Sequence, residues 1–398
     1  MALSRSSLKG LWQLDASSDG LRLFRIDPTK FPRLRTFRNR SIYVAQGNGG
    51  QALGKGLEDD ERQASAIGEC MERMALRSVR PSLIATLGEL GSNAISPLDL
   101  GVDLAEERAE RCIPFSANER VEWVLGSSLN SLEDRWLHRP TWDGPGFYRP
   151  TSNGTAVATS LELAKESAVA EMLERHAFIL WWYGFSQART LCVCDQRWEE
   201  IAAWLNATGW QLHAYQLDSE SRFPVMMANA SHISSSGKVI GTLVGLGTAK
   251  EQNGSDLIAT AAISAALEIV QAMEAFSLKK ASDTEIISNL TKFMTPEGAK
   301  EVLSRLPSTG EDGHSRQIWT VSAIAAAREA GIRTWITDYT ELAGMRQDTY
   351  CVQAFSPDVL PFPLSRAGRR LNHPELAARL KSPAREICTI PSLPHPLS

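Results

Sequence analysis

The stretch AVAEMLERHAFILWWY, residues Ala168 to Tyr183, decides the fold that the sequence predicts. Its charged side chains are Glu171, Glu174 and Arg175, joined by His176 when protonated, and almost all the rest are apolar. A helix that is apolar nearly all round is normally buried. The two glutamates are three residues apart and share one helix face. Buried carboxylates need a cation, hydrogen-bond donors or a raised pKa, so we expect a positive partner beside them.

The composition is that of an ordinary soluble protein. The chain has 398 residues, 43% hydrophobic and 22% charged, with a net charge of -4. The mildly acidic balance gives no reason to expect nucleic acid, and no unbroken apolar run of about 18 residues predicts a membrane span. The start lacks the apolar core of a signal peptide. Six dispersed cysteines without a CxxC pair argue against structural zinc and indicate a reduced, cytoplasmic setting.

Hydrophobic periodicity predicts an α/β (α+β) fold with mixed sheets and packed helices. We predict helices over about 60–79, from Ser160 through the opening stretch, over 256–278 and over 321–331. The predicted strands are 41–46, 189–195 (which includes Cys192 and Cys194), 224–230, 238–248, 332–340 and 348–357. No element is predicted in 1–38, and 80–150 is predicted as a long connection or inserted subregion. We expect an N-terminal segment of 1–46, one domain over 47–398 and an extended proline-rich tail over 357–398.

Three of the predicted helices share a polar spacing. The first contains Glu69, Glu72 and Arg73, the second repeats this E-x-x-E-R pattern as Glu171, Glu174 and Arg175, and the third has Glu268 and Gln271 at the same step. One such pattern usually marks a solvated helix face. Three copies in apolar helices predict an internal pseudo-repeat of acidic helices whose faces converge.

A converging set of carboxylates indicates Mg²⁺, which is typically shared with the phosphates of a substrate. This favours a nucleoside triphosphate held through metal ions, with Arg73 and Arg175 on phosphate oxygens. The alternative is that each arginine pairs with the acids of its own helix, so that the network is structural.

The glycine-rich loop before the first helix nearly matches a phosphate-binding P-loop. Gly49, Gly54 and Lys55 have the required spacing, but Gly56 stands where the motif needs Ser or Thr. Acidic residues at 58–60 would also repel phosphate. We therefore do not expect a P-loop fold, although Lys55 can still reach a phosphate.

Several segments in one order resemble the YcaO superfamily. They are GKG with ASAIGECMER, SNGTA with AVAEMLER, ALEIVQ, and the late VQAFSPDVLPFP with a tail that contains Pro394 and Pro396. The resemblance covers about residues 47–398. It is closest to the docking-and-cyclisation component of thiazole/oxazole-modified microcin synthetases, in which the second helix likewise runs into aromatic residues.

The resemblance implies an ATP and Mg²⁺ site with assigned residues. Carried over by position, the metal ligands are Glu69, Glu72, Glu171, Glu174 and Glu268. The residues implied to line the phosphates or nucleotide are Lys55, Ser65, Arg73, Thr159, Arg175 and Gln271. Pro394 and Pro396 correspond to the end of a family tail that runs toward the active site, so they are implied, with Arg175, to act in catalysis.

The resemblance also implies a reaction and its partners. In the family's cyclodehydratases, a Cys, Ser or Thr side chain of a ribosomally made precursor peptide attacks the preceding carbonyl. The oxyanion takes the γ-phosphoryl group of ATP, and phosphate leaves to give an azoline. We expect a separate ThiF-like protein to present the peptide leader and a flavin-dependent dehydrogenase to oxidise azolines to azoles. No nucleic acid or membrane partner is expected.

This sequence departs from the family pattern at some nucleotide-contact positions. Ala156 and Leu163 stand where many members have polar residues, Ser264 replaces a basic residue, and the chain ends Leu397-Ser398 instead of in proline. Two other functions therefore stay open: thioamide or amidine formation with the same ATP chemistry, and a non-catalytic scaffold that binds nucleotide or a partner enzyme.

Overall fold

The computed structural model describes residues 11–16, 21–26, 41–47, 50–100, 115–131, 133–139, 151–249, 256–278, 291–307, 319–343, 349–360, 362, 373–380 and 396. Within them the helices are α1 (Asp59–Ser78), α2 (Leu87–Leu90), α3 (Leu161–Trp182), α4 (Gln196–Asn206), α5 (Leu257–Leu278), α6 (Pro296–Leu303), α7 (Ala323–Glu329) and α8 (Pro374–Leu380). The strands are β1 (Leu11–Ala16), β2 (Arg22–Ile26), β3 (Ile42–Gly47), β4 (Gly50–Leu53), β5 (Leu83–Ala85), β6 (Val121–Ser128), β7 (Arg135–His138), β8 (Thr155–Ala158), β9 (Ala188–Leu191), β10 (Trp210–Leu217), β11 (Val225–Ile233), β12 (Val239–Thr248), β13 (Trp335–Asp338) and β14 (Tyr350–Phe355).

The described strands form three sheets, which confirms the α+β class. The first has the order β1-β2-β3-β4, the second β12-β11-β10-β9, and the third β5-β6-β13-β14-β8, with β7 paired to β6. Neighbouring strands in these sheets run antiparallel, for example β11 against β12 and β13 against β14. Helices α1, α3 and α5 pack on these sheets, and the candidate site lies between them.

Helix α3 is the buried helix that the opening stretch predicts. It begins after Ser160, as predicted, and the Ser160 hydroxyl caps it by accepting a hydrogen bond from the Leu163 N–H at 3.2 Å. Most of the helix is buried, including Phe178, Trp181 and Trp182. It packs against β8, β14 and α7, so neighbours surround it and an apolar surface on all sides is required.

Helix α5 lies unusually close to strand β12 because of two glycines. A Cβ added at Gly245 would lie 2.1 Å from the Ala265 carbonyl oxygen, and one at Gly247 would lie 2.2 Å from that of Ala261. Only glycine permits this approach, which brings Glu268 of the helix to the backbone of the strand.

The predicted helices and most predicted strands are confirmed, within a few residues at their ends. Several regions differ. Helices α4 and α6 and strands β4, β8 and β10 lie where no helix or strand was predicted, and the tail that was predicted to be extended contains helix α8. Strands β1 and β2 lie where no element was predicted, and 80–150 contains β5, β6 and β7, of which β6 is an inner strand of the third sheet. Strand β9 ends at Leu191, so Cys192 and Cys194 are not in a strand. The reason is that Asp195 caps the next helix, accepting a hydrogen bond from the Arg197 N–H at 2.8 Å.

One described helix, Leu257–Ser277, is long and apolar enough to cross a membrane by length and composition. Glu268, Gln271 and Glu274 interrupt it, so the sequence shows no unbroken apolar run. It packs on β11 and β12 in this structure, where residues such as Ala265 and Ile269 are fully buried.

The approach of α5 to β12 predicts the effect of adding one methyl group. We expect Gly245→Ala to lower the free energy of unfolding by about 2–3 kcal/mol, since its Cβ would overlap the Ala265 carbonyl oxygen. Gly68→Ala is the control: its Cβ would meet nothing within 4 Å, and alanine in a helix interior gains about 0.5–1 kcal/mol over glycine. Urea unfolding measures both. An unchanged midpoint for Gly245→Ala would contradict the close packing.

Candidate active site

Acidic side chains from three helices converge at one site. Helix α1 contributes Glu69 and Glu72, α3 contributes Glu171 and Glu174, and α5 contributes Glu268. Lys55, from the loop between β4 and α1, and Arg175 of α3 lie among them. The structure thus brings together the acids of the predicted pseudo-repeat.

Arg175 lies between acids of two different helices. Its guanidinium is 3.7 Å from Glu171, 3.7 Å from Glu174 and 3.8 Å from Glu268, and its side chain is 16% exposed. These contacts are ion pairs longer than hydrogen bonds, and the buried Nε atom has no hydrogen-bond partner. The guanidinium also lies 5.1 Å from the ring centre of Phe362. Because Arg175 also contacts Glu268 on helix α5, it does not pair only with the acids of its own helix. The structural alternative given above is therefore excluded for Arg175.

Glu268 is held from two sides. Its Oε1 accepts a hydrogen bond from Lys55 Nζ at 3.1 Å, and its Oε2 accepts one from the Leu246 N–H at 3.0 Å. Burial alone would raise the pKa of Glu268, but Lys55 and Arg175 outweigh it and lower that pKa. Burial likewise opposes the charge on Lys55, yet Glu268 and Glu174 raise its pKa. Both groups are therefore charged at neutral pH.

Lys55 is fixed at its backbone as well. Its N–H donates a hydrogen bond to the hydroxyl of Ser65, one turn into α1, at 3.2 Å. Ser65 therefore serves to hold the loop in the described structure, beside the nucleotide role that the resemblance implies.

A second polar group joins α1 and α5 to the free edge of strand β4. Arg73 donates to the Gln51 carbonyl and to Glu69, while Gln271 donates to the Leu53 carbonyl and, at 3.3 Å, to Glu69. The carbonyls of residues 51 and 53 both point away from β3, and β4 is the edge strand of its sheet. Side-chain donors thus satisfy the backbone carbonyls that a further strand would otherwise bind.

Glu72 has little compensation for its charge. Its Oε1 accepts one hydrogen bond from the Val157 N–H at 3.3 Å, and among the described residues it has no ion pair. Burial, followed by the charges of Glu171 and Glu69, raises its pKa well above the ordinary value.

The pair on α3 is also short of positive charge. Burial is the main cause that raises the pKa of Glu171 to about 7 and that of Glu174 to about 8, although Arg175 opposes both shifts. The nearby carboxylate of Glu268 raises both further. The site's acids outnumber its cations (Lys55, Arg73 and Arg175), so additional positive charge would be favoured there.

The donor set fits Mg²⁺ bound together with a triphosphate. Among the described residues, no three acidic, histidine or cysteine side chains are grouped to ligate one ion. Mg²⁺ requires only one or two carboxylates when phosphate oxygens and waters complete its shell. Partly protonated glutamates and the unsatisfied Nε of Arg175 supply the oxygen ligands and the phosphate donor that such a complex needs.

Other predicted site residues lie outside this cluster or outside the described residues. Thr159 is exposed between β8 and α3, and none of its described contacts joins it to the acids. Leu163 is also exposed, Ala156 is buried on β8, and Ser264 is half-buried. Pro396 is buried, and Pro394 lies outside the described residues.

Two contributors to the site had no predicted role. The Leu246 N–H binds Glu268, and the Phe362 ring lies on Arg175. The glycines on either side of Leu246 were a usable signal for a close helix approach. Phe362 lies in the segment VQAFSPDVLPFP that carries the resemblance, but nothing in the sequence predicts its contact with Arg175, which is far away along the chain.

One protein-family model matches most of this chain. The family model described as YcaO cyclodehydratase, ATP- and Mg²⁺-binding, matches residues 53–360. A search of curated proteins finds no significant match.

Three solved structures resemble this chain. One is a heterocyclase in complex with substrate and cofactor, with a TM-score of 0.69 and 19% identity over 90% of this chain and 53% of that chain. Another is YcaO from Methanopyrus kandleri bound with AMPPCP and Mg²⁺, with a TM-score of 0.56 and 18% identity over 89% and 88%. A third belongs to the E. coli microcin synthetase McbBCD complex, with a TM-score of 0.70 and 14% identity over 98% and 100%. The chain thus spans about half the length of the heterocyclase.

The raised pKa values predict how the stability of the metal-free chain depends on pH. Glu171 and Glu174 bind protons more tightly in the folded chain, so their contribution is full below about pH 4.5 and is lost as the pH rises through about 7–8. We expect the free energy of unfolding in EDTA to fall between pH 6 and 9. Glu174→Gln should reduce that fall by roughly 1–3 kcal/mol.

The matched control for this measurement is Glu162→Gln, at an exposed position of the same helix. It should leave the pH dependence of the wild type unchanged. If the free energy of unfolding depends on pH in the same way for the wild type and for Glu174→Gln, the raised pKa of Glu174 is contradicted.

Proposed function

This chain belongs to the YcaO family of ATP- and Mg²⁺-binding cyclodehydratases, and we propose that it forms azoline rings in a ribosomally made precursor peptide. One observation carries the proposal: Arg175 and Lys55 lie among carboxylates from three helices, and those carboxylates lack sufficient positive charge. Family membership and this charge arrangement together support ATP-dependent chemistry over a purely structural network.

The proposed site has two kinds of residue. Glu69, Glu72, Glu171, Glu174 and Glu268 would hold Mg²⁺, because they are the carboxylates that face the cluster. Arg175 and Lys55 would contact the phosphates, with Ser65, Arg73, Gln271 and Thr159 nearer the nucleotide. Of this second set, Thr159 has the least support from the geometry, since it is exposed and separate from the acids.

In the proposed reaction, a Cys, Ser or Thr side chain of the peptide adds to the carbonyl carbon of the preceding amide. The carbonyl oxygen takes the γ-phosphoryl group of ATP, which releases ADP. Phosphate then leaves as the amide nitrogen loses its proton and the C=N double bond of the ring forms. Bound Mg²⁺ would neutralise charge on the phosphates. Arg175 is suited to developing charge on the transferred group, because its contacts with the acids are long and its Nε is unsatisfied.

We propose that the chain acts as a subunit of a larger synthetase. The E. coli chain that it resembles over nearly its whole length belongs to a complex named a microcin synthetase. The proposed partners are the precursor peptide, a ThiF-like protein that binds its leader and a flavin-dependent azoline dehydrogenase. We also propose a reducing, cytoplasmic location, which the dispersed cysteines of the sequence, without a CxxC pair, support.

Reconstitution with candidate partners, precursor peptide and Mg-ATP tests this function. We expect the peptide to lose one water mass for each ring, with matched phosphate release. Glu171→Gln and Glu174→Gln should each lower turnover by at least about 100-fold, because each removes a charge proposed to hold metal, while Glu162→Gln keeps the wild-type rate. A sulfur-for-oxygen mass gain would favour thioamide formation. Absence of peptide-dependent ATP hydrolysis would favour the scaffold function.

The proposed role of the tail gives a separate prediction. We expect Pro396→Ala to slow cyclisation while leaving the affinity for Mg-ATP within about twofold, since the tail would act on the peptide's reaction and not on nucleotide binding. Calorimetry and mass spectrometry measure the two quantities. Equal losses of binding and turnover would instead indicate that buried Pro396 is needed for folding.

A further inference from the structure

His176 follows Arg175 on helix α3 and has no part in the proposed reaction. It is buried, with 4% of its surface exposed. Both of its ring nitrogens face polar groups from other parts of the chain, one of them directly at the start of the C-terminal region. A buried imidazole with two such partners can fix the relative positions of the segments that it contacts.

The first contact determines which nitrogen of the ring accepts. The Leu360 N–H donates a hydrogen bond to Nδ1 of His176 at 2.9 Å, so that nitrogen carries no proton. A neutral ring then carries its proton on Nε2, which lies 3.7 Å from Oε2 of Glu220. The ring therefore accepts from one segment and faces a carboxylate on another.

The second contact extends to helix α8. Oε2 of Glu220 is 2.8 Å from the guanidinium of Arg379, and Arg379 is in turn 2.7 Å from Glu375. The contact with His176 is the main cause that lowers the pKa of Glu220 to about 2, with further help from Arg379. One imidazole is thus connected, directly and through Glu220, to the chain at residues 360 and 379.

The first of these anchors lies next to the ring that contacts Arg175. Phe362 is two residues after Leu360, and its ring centre is 5.1 Å from the Arg175 guanidinium. Because the ion pairs of Arg175 are all longer than hydrogen bonds, they hold its direction only loosely. A cation–π contact contributes a comparable attraction, so the place of the Phe362 ring affects the orientation of Arg175.

We propose that His176 is a positioning residue of the nucleotide site: by holding Leu360 it places the Phe362 ring that orients Arg175. This inference rests on the proposed function, because it concerns how Arg175 is presented to a phosphate. His176 itself touches neither the reacting atoms nor the acids of the cluster. Its effect is expected on nucleotide binding through Phe362, and on the local order of the backbone at Leu360.

Three variants of His176 separate its two contacts. His176→Asn keeps an acceptor near the position of Nδ1, His176→Gln places its polar atoms near that of Nε2, and His176→Phe removes both while filling the space. In the full chain, amide hydrogen exchange at Leu360 reports the anchor, and calorimetry with Mg²⁺ and AMPPCP reports the nucleotide site. We expect His176→Phe and His176→Gln to speed exchange and to weaken binding about fivefold, and His176→Asn to stay within twofold of the wild type.

Phe362→Leu tests the route to Arg175. It should weaken Mg-AMPPCP binding about as much as His176→Phe does, and the double variant should lose no more, since both act through one contact. Additive losses would overturn the route through Phe362. The control is His213→Asn, on the exposed side of β10, which should change neither measurement.

The two measurements distinguish the ways in which the proposals can fail. Unchanged exchange at Leu360 in His176→Phe would overturn the anchor, as would equal weakening of binding by His176→Asn and His176→Phe. If the folded wild type does not bind Mg-AMPPCP, the proposed function fails, and the positioning role fails with it. Faster exchange in His176→Phe would then still establish the contact as an anchor with no link to a nucleotide.

Discussion

Five carboxylates lie between three helices with too few cations to balance their charge. This imbalance constrains how the helices and strands around the site can pack. Each acid is accommodated differently. Glu268 has Lys55 and a backbone N–H, Glu69 has Arg73 and Gln271, and the two acids of α3 share one distant guanidinium. An isolated buried charge would be too costly to keep. Lys55, the Leu246 N–H and Gln271 therefore reach these acids from other elements, in addition to the arginines on the acids' own helices.

The packing of the helices follows from that requirement. Glu268 can receive the Leu246 N–H only if α5 lies against β12, and this approach is possible because Gly245 and Gly247 have no side chains. In the same way, Arg73 and Gln271 reach carbonyls that an additional strand next to β4 would otherwise occupy. The polar site and the apolar core are therefore not independent, since the backbone positions that build the core also satisfy the acids.

The sequence predicted features that depend on local pattern and missed those that depend on distant partners. An apolar helix with a three-residue acid spacing is visible in α3 alone, and its repetition in α1 and α5 correctly predicted convergence. In contrast, β6 has no regular alternation, because the neighbours Trp123 and Val124 are both buried while Leu125 is exposed. The contact of Phe362 with Arg175 joins residues far apart in the chain, and periodicity carries no information about such a pair.

The arginines of the two E-x-x-E-R copies have different partners in the structure. Arg73 and Arg175 hold the same place in the pattern, but Arg73 donates to a strand carbonyl and to the acid one turn before it. Moving Arg73 would remove its hydrogen bond to the Gln51 carbonyl of β4. Arg175, in contrast, has ion pairs longer than hydrogen bonds and an unsatisfied Nε. A guanidinium must exchange its partners to grip a phosphate, and this exchange costs less where hydrogen bonds are not already made. The difference favours Arg175 over Arg73 as the phosphate ligand, although the motif alone treats them alike.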